Sequence, residues 1–253
     1  MPSAEVAVPD PIIAVKGLSK SFKNTRALEN VSFKVPRGAF YGCFGPNGAG
    51  KSTLLRILTG QLEPSDGSAT VLGLAPGADA LALKRNVGIV PESETPPSFL
   101  TAVEYLEFVC RLRGLDDGEA RITKWLDFFD MADKKDTLCK DMSKGTRQKI
   151  MLASAFIHLP PLLFLDEPFI NLDPIYQRRV RDFLADFVKA GGSIFMCSHI
   201  LEIAGKVCTD ALILDRGAVL AQGPIASFKG DGRDLADTFL DMIETKGGAP
   251  RLA

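Results

Sequence analysis

The chain has no apolar run approaching the roughly 20 residues that span a bilayer, so no stretch reads as a membrane-crossing helix. It has no surplus of one charge: 30 basic and 31 acidic residues leave a net charge of −1. No global basic field therefore points to nucleic acid, although a local basic patch stays open. Its five cysteines, at Cys43, Cys110, Cys139, Cys197 and Cys208, are odd in number and contain no C-x-x-C pair. They read as buried reduced thiols rather than zinc ligands or a disulfide framework. The opening Met1-Pro2-Ser3-Ala4-Glu5-Val6 lacks the basic and apolar regions of a signal peptide, so a cytosolic protein is expected. Work at a membrane would then need a partner. No internal repeat is visible. What is present is 253 residues, 46% hydrophobic and 24% charged, a length and balance suited to one large α/β domain or a core with subdomains.

Against these absences stands one positive feature. Gly45-Pro46-Asn47-Gly48-Ala49-Gly50-Lys51-Ser52-Thr53 fits the phosphate-binding loop G-x-x-x-x-G-K-[ST] without a mismatch. The apolar run Ala39–Phe44 precedes it as a strand, and Leu54–Leu58 follows as a helix. Closely spaced glycines let successive backbone N–H groups face a phosphate chain, and the helix adds its positive end. Lys51 is the candidate to neutralise the β- and γ-phosphates, and the Ser52 hydroxyl the candidate Mg²⁺ ligand. A glycine-rich turn with an accidental lysine is the competing reading; the strand before and the helix after argue against it.

Along the chain, residues 1–10 read as a loose tail and Ile12–Val15 as a first strand. Val31–Val35 alternates as a half-exposed antiparallel strand does. Pro64–Gly67 is a turn, and Ser68–Leu72 a short strand after it. From about 92 to 160 apolar residues recur every three or four positions, through Val103–Leu112 and then Ile122, Trp125, Leu126 and Phe129, which predicts a mostly helical insert. Trp125, Phe128 and Phe129 read as core, and His158 as structural. Leu162–Leu165 and Ser193–Cys197 are unbroken apolar runs, as in strands covered on both faces, with a helix over 176–189 between them. Ala211–Ala221 reads as a hairpin turning at Asp215–Gly217, and 235–244 as a terminal amphipathic helix.

The run Leu162-Leu163-Phe164-Leu165 ends in Asp166-Glu167, placing two carboxylates at the ligand end of a buried strand. Asp166 suits the Mg²⁺ shell, and Glu167 suits orienting and polarising an attacking water. Upstream lies Met142-Ser143-Lys144-Gly145-Thr146-Arg147-Gln148, which resembles the signature Leu-Ser-Gly-Gly-Gln of the ATP-binding-cassette transporter ATPases. Its physical content is a Ser and a Gly at a helix start, a second phosphate cradle on a chain that already has one. An ordinary Ser-capped helix is the bland alternative.

The resemblance covers nearly the whole chain. Asn171-Leu172-Asp173-Pro174 is similar to the family's D-loop, His199 stands at the place of its switch histidine, and Phe22 stands where an aromatic stacks on adenine. The family implies an α/β P-loop NTPase (RecA-like) core, a small antiparallel β-subdomain near the N-terminus, a helical subdomain at about 92–160 and a C-terminal extension at about 222–253, all within a single ATPase domain of residues 1–253. It implies ATP and Mg²⁺ as cofactors. Nucleotide contacts then fall on Phe22, Gly45, Asn47, Gly48, Ala49, Gly50, Lys51, Ser52 and Thr53, metal contacts on Ser52, Glu92 and Asp166, and catalysis on Lys51, Glu167 and His199. Ser143 and Gly145 would serve the nucleotide of a second ATPase copy or paralogue, and a separate membrane permease would be the partner, with the subunit on the inner face of the cell membrane.

Three departures stand out: Glu92 where the family has Gln, Lys144 and Thr146 within the signature, and Asn171 where Gly or a small residue is usual. With the C-terminal segment they resemble a prokaryotic subgroup that powers export permeases for drugs, antibiotics, lipids or polysaccharides. A non-transport cassette ATPase, acting in regulation or self-resistance or on ribosomes or DNA, is the alternative. An unrelated P-loop kinase ranks last, since it would lack the Ser143–Gly145 signature and the trailing His199.

Overall fold

Apolar side chains on alternate positions of the same strands enter two separate cores, and this division organises the molecule. In the computed structural model, which describes residues 9–23, 25–92, 96–200 and 205–228, β6 (Leu162–Asp166) sends Leu163 and Leu165 to one core and Leu162 and Phe164 to the other. β7 (Ser193–Ser198) does the same with Ile194 and Met196 against Phe195 and Cys197. A strand apolar on both faces must be covered on both, which is why these segments read as continuous hydrophobic runs.

The covered sheet has six strands in the order β5-β6-β7-β3-β8-β9. β5 (Val87–Val90), β6, β7, β3 (Phe40–Phe44) and β8 (Asp210–Asp215) are parallel, and β9 (Ala218–Pro224) returns antiparallel as the hairpin partner of β8. A three-stranded antiparallel sheet, β2-β1-β4, forms a second layer from β1 (Ile13–Phe22), β2 (Thr25–Val35) and β4 (Asp66–Val71). Together with α1 (Lys51–Leu58) it encloses the core built on Leu18, Val31, Phe33, Leu54 and Phe195.

The opposite face of the large sheet is covered by helices. Between β5 and β6 lie α3 (Ala102–Arg113), α4 (Gly118–Phe128) and α5 (Lys144–Phe156), and among the described residues of 96–161 there is no β-strand. The helical periodicity of this stretch is thus met. Trp125 packs at 5.1–5.3 Å between ring centroids on Phe128, Phe156 and Phe183, the last from α6 (Pro174–Lys189). Trp125 and Phe129 are buried, as their reading as core requires. His158 is structural as well. Its Nε2 faces the Val87 carbonyl at 3.2 Å, and burial pushes the ring down to about 4, so it is neutral at pH 7.

Several boundaries move for identifiable reasons. β1 runs to Phe22, well past Val15, because β2 pairs with it as far as Phe22 and holds its polar end. β4 begins at Asp66, two residues before the expected Ser68, because Asp66 pairs with Ser19. α3 starts at a reciprocal cap: the Thr101 hydroxyl accepts the Glu104 N–H and the Glu104 carboxylate accepts the Thr101 N–H. α2 (Ala80–Asn86) was not anticipated; only Leu83 is buried on it, too little apolar content to show a periodicity. All five cysteines are free, four buried and Cys208 half-buried. Most of the segment 222–253, including the helix expected at 235–244, and the tail residues 1–8 lie outside the described residues.

Candidate functional site

Because β3, β6 and β7 are parallel neighbours, the segments leaving their C-terminal ends meet at one edge of the sheet. The phosphate loop follows β3, Asp166-Glu167 ends β6, and Ser198-His199 ends β7. The first two line a cavity of about 580 Å³, within the range of small-molecule sites, whereas Ser198 and His199 do not line it and adjoin it through Glu167. Asn47, Gly48, Ala49, Gly50, Lys51, Ser52, Thr53, Glu92, Asp166 and Glu167 line it, so the residues singled out around the loop come together.

The loop is packed from behind. A Cβ on Gly45 would lie 2.2 Å from the Leu214 carbonyl oxygen, and one on Gly50 2.6 Å from that of Ala27. No side chain fits at either position. Gly50 also takes φ +104° as the N-cap of α1, which starts the helix at Lys51 rather than Leu54. The β8–β9 turn braces the loop, with the Gly217 N–H on the Ala49 carbonyl (3.0 Å) and the Glu29 N–H on the Gly217 carbonyl (2.8 Å). Lys51 is 8% exposed, and its Nζ donates to the Gly45 and Pro46 carbonyls at 2.7 and 3.1 Å. The ammonium is therefore held against the carbonyls of its own loop.

Asp166 and Glu167 are 5% and 6% exposed. Burial raises the Asp166 carboxyl to about 6, a Ser52 hydrogen bond opposes this, and the Glu92 and Glu167 carboxylates add to it. A raised folded value means that the folded state binds the proton more tightly than the unfolded chain does. Keeping Asp166 ionised above about pH 6 costs stability, and this cost is relieved as pH falls through about 6. Asp166→Asn is accordingly expected to raise the melting temperature of the nucleotide-free protein at pH 7.5 by about 2–5 °C. The gain should shrink as pH falls through about 6 and vanish only below the unfolded value of 3.8. A lower melting temperature at pH 7.5 would mean that the Ser52 bond outweighs desolvation.

Glu167 holds φ +50°, a left-handed backbone that a non-glycine residue adopts at a cost of about 1 kcal/mol. Its N–H is fixed on the Cys197 carbonyl (2.9 Å), and its side chain turns to the end of β7. There it accepts from the Ser198 hydroxyl (2.9 Å) and from the backbone N–H of His199 (2.8 Å), and lies 2.6 Å from His199 Nδ1. The carboxylate only accepts, which assigns a proton to Nδ1. His199 and Glu167 are thus a contacting pair.

Other residues fall elsewhere. Phe22 lines an adjoining cavity of about 300 Å³ that shares Ser52, Glu92 and Asp166 with the first. Ser143 and Gly145 do not line either cavity. The Ser143 hydroxyl caps α5 by accepting the Thr146 N–H (3.1 Å), so the Ser-capped helix is present. A Cβ on Gly145 would meet the Asn171 carbonyl oxygen at 2.6 Å. Asn171 itself has φ +64°, which gives its place in the D-loop a physical reason, since Asn tolerates this conformation better than most side chains. Sequence reasoning missed Thr25, Arg26, Ala27 and Arg216 as cavity lining, and Ser198 as a partner of Glu167. The first four come from a distant hairpin and strand with no motif of their own; Ser198 had the signal of standing next to His199.

Comparison with known proteins agrees with this geometry. Residues 28–170 match the family model described as ABC transporter. The daunorubicin/doxorubicin resistance ATP-binding protein DrrA of Streptomyces peucetius is 32% identical over 247 residues, covering 96% of this chain and 75% of that protein. The Nod factor export ATP-binding protein I of Rhizobium meliloti is 33% identical over 219 residues, covering 86% of this chain and 65% of that protein. A solved structure described as the ATP-binding subunit of an ABC transporter superposes with a TM-score of 0.86 at 30% identity, over 92% of this chain and all of that one. A dimeric ATP-binding cassette in a post-hydrolysis state, bound to ADP and Pi, shares the fold with a TM-score of 0.78 at 21% identity, over 87% of this chain and all of that one. By the matched family model, by these relatives and by a cavity built on an intact phosphate loop, the chain belongs to the ABC transporter family, in which it is an ATP-binding subunit and an ATPase.

Proposed function

We propose that this subunit powers an export permease by closing as a dimer around two ATP molecules. The observation that carries the reading is the division of the phosphate-binding features. The loop, Asp166 and Glu167 gather at one cavity, with His199 in contact with Glu167, while Ser143 and Gly145 sit outside it at the start of α5. A second cradle that its own chain does not use suits a partner's nucleotide. Lys51 and the loop N–H groups bind the β- and γ-phosphates, and Phe22 stacks on the base from the adjoining cavity. Closure would bring Ser143 and Gly145 of one subunit onto the γ-phosphate held by the other, so ATP and the dimer interface strengthen each other. That a structure sharing this fold is described as dimeric supports dimerisation in general. The second ATPase is a copy of this chain or a paralogue.

The oxygens of Ser52, Asp166 and Glu92 fit Mg²⁺, which in phosphate sites takes few protein ligands and completes its shell with water and phosphate. The buried carboxylate of Asp166, with two further carboxylates acting on it, is a place where a cation relieves an electrostatic penalty. When bound, Mg²⁺ supplies charge neutralisation of the β- and γ-phosphates. Replacing Glu92 by Gln leaves an oxygen ligand and should keep turnover within about twofold, whereas Glu92→Ala should lower Mg²⁺-dependent turnover by about tenfold. Wild-type rates in the Ala variant, in a magnesium titration of ATP hydrolysis, would separate Glu92 from the site.

Among the described residues no helix is long and apolar enough to cross a membrane. A permease must therefore be recruited by surface. Leu81 on α2, Phe99 before α3, and Phe108 and Leu112 on α3 are each more than half exposed, a set of large apolar groups that supports docking of such a partner. The helical part, about 92–160, and the Glu92 segment would carry closure to it. Relatives named for drug resistance and Nod factor export support outward transport, with the subunit on the cytoplasmic face. The test is a pull-down of tagged Glu167→Gln protein, held with Mg-ATP, from detergent-solubilised membranes of the source cell. A stoichiometric polytopic membrane protein supports the reading. Ribosomal or DNA-associated proteins, or the ATPase dimer alone, would move the function to a non-transport cassette.

A further inference from the structure

Both oxygens of the Glu167 carboxylate are gripped by the end of β7, and the two grips come from different residues. Oε1 takes the His199 backbone N–H and faces its ring. Oε2 takes the Ser198 hydroxyl at 2.9 Å, and among the described residues it has no other donor. Ser198 is 1% exposed, so no bulk water replaces that bond. The Ser198 oxygen in turn accepts the Ile200 N–H at 3.1 Å. With a lone pair engaged by this donor, the hydroxyl proton is directed at Glu167. The relay Ile200 N–H to Ser198 to Glu167 thus fixes rotation of the carboxylate about its last bond. The His199 contacts hold Oε1 alone, so without the Ser198 bond the second oxygen has no anchor among the described residues and the carboxylate swings more widely.

We propose that Ser198 is a positioning residue for ATP hydrolysis, setting the orientation in which Glu167 meets the attacking water. The inference rests on Glu167 as the general base. In that reaction water forms a bond to the γ-phosphorus, the bond to the β,γ-bridging oxygen breaks with its electron pair leaving on ADP, and Glu167 takes the proton of the water. A carboxylate held at one oxygen only swings more widely and spends less time in the productive geometry, which lowers turnover without touching nucleotide affinity.

The experiment is a steady-state comparison of wild type, Ser198→Ala, Ser198→Thr, Glu167→Gln and the double variant Glu167→Gln/Ser198→Ala, with nucleotide affinity measured by a fluorescent ATP analogue. Ser198→Ala should lose about tenfold in kcat with KM and affinity within about twofold. Ser198→Thr, which keeps the hydroxyl, should recover most of kcat. In single turnover the double variant should match Glu167→Gln, because a residue acting through Glu167 has nothing left to position. Wild-type kcat in Ser198→Ala overturns the proposal, as does an equal further loss in the Glu167→Gln background. Lost analogue binding in Ser198→Ala also overturns it, by showing a merely structural role. Undiminished turnover in Glu167→Gln sinks the general-base reading itself and this inference with it.

Discussion

Glu167→Gln is expected to bind ATP with near-native affinity, to lose at least about 100-fold in turnover, and to accumulate as a closed dimer. The reason lies in what the substitution keeps. Gln has the same length: its amide oxygen, in place of Oε1, can still accept the His199 N–H, and its NH2, in place of Oε2, can donate to the Ser198 oxygen. The buried pocket, 6% exposed at Glu167, loses a charge rather than a volume. What disappears is the ability to take a proton from water, a contribution of about 10²–10⁴ in rate. Because hydrolysis would reopen the dimer, its loss traps the closed form. Phosphate release and light scattering with Mg-ATP measure both effects on one sample. Normal turnover would remove Glu167 from the chemistry; lost ATP binding would show that the residue is needed to shape the cavity.

Lys51→Ala should weaken ATP binding by about 10–100-fold, the size of one to two charge-assisted bonds in a sheltered site. The structure adds a second consequence. Lys51 Nζ also ties the Gly45 and Pro46 carbonyls of its own loop, so removing it frees the loop as well as deleting a cation. Lys51→Arg keeps the charge but brings a planar fork that is larger than the ammonium, and it should restore little. Binding isotherms for ATP and AMP separate the two effects: a phosphate contact penalises ATP far more, whereas a slackened loop penalises both. Unchanged ATP affinity would refute the role of the loop lysine.

How much was legible in the chain depended on how local the cause was. The phosphate loop could be read because its glycines, lysine and serine are consecutive and each has a local reason: close backbone approach at Gly45 and Gly50, and a helix start at Lys51. The covered strands β6 and β7 could be read because burial on both faces demands an unbroken apolar run, and the helices between β5 and β6 because one buried stripe demands a three-to-four-residue period. The capped start of α5 at Ser143 follows from residues adjacent to it, whereas α6 begins at Pro174, two residues before the expected 176, because the Asp173 side chain caps it.

Tertiary structure decided what depends on distant partners. The reach of β1 past Val15 was settled by pairing with β2 and β4, not by its own pattern. That Thr25–Ala27 and Arg216 wall the same cavity as Lys51 follows from the β8–β9 turn packing on the loop. The hold of Ser198 and His199 on Glu167 follows from β6 and β7 lying side by side and parallel, which brings residues 31 and 32 positions apart within hydrogen-bonding distance. The sequence by itself determined which chemical groups are present and the local backbone that each requires, because those are set by neighbours within a few residues. Which of these groups touch, and that Ser143 and Gly145 stand apart from the cavity, was decided by strand order and parallel register, because contacts between remote segments exist only once the sheet has brought their ends together.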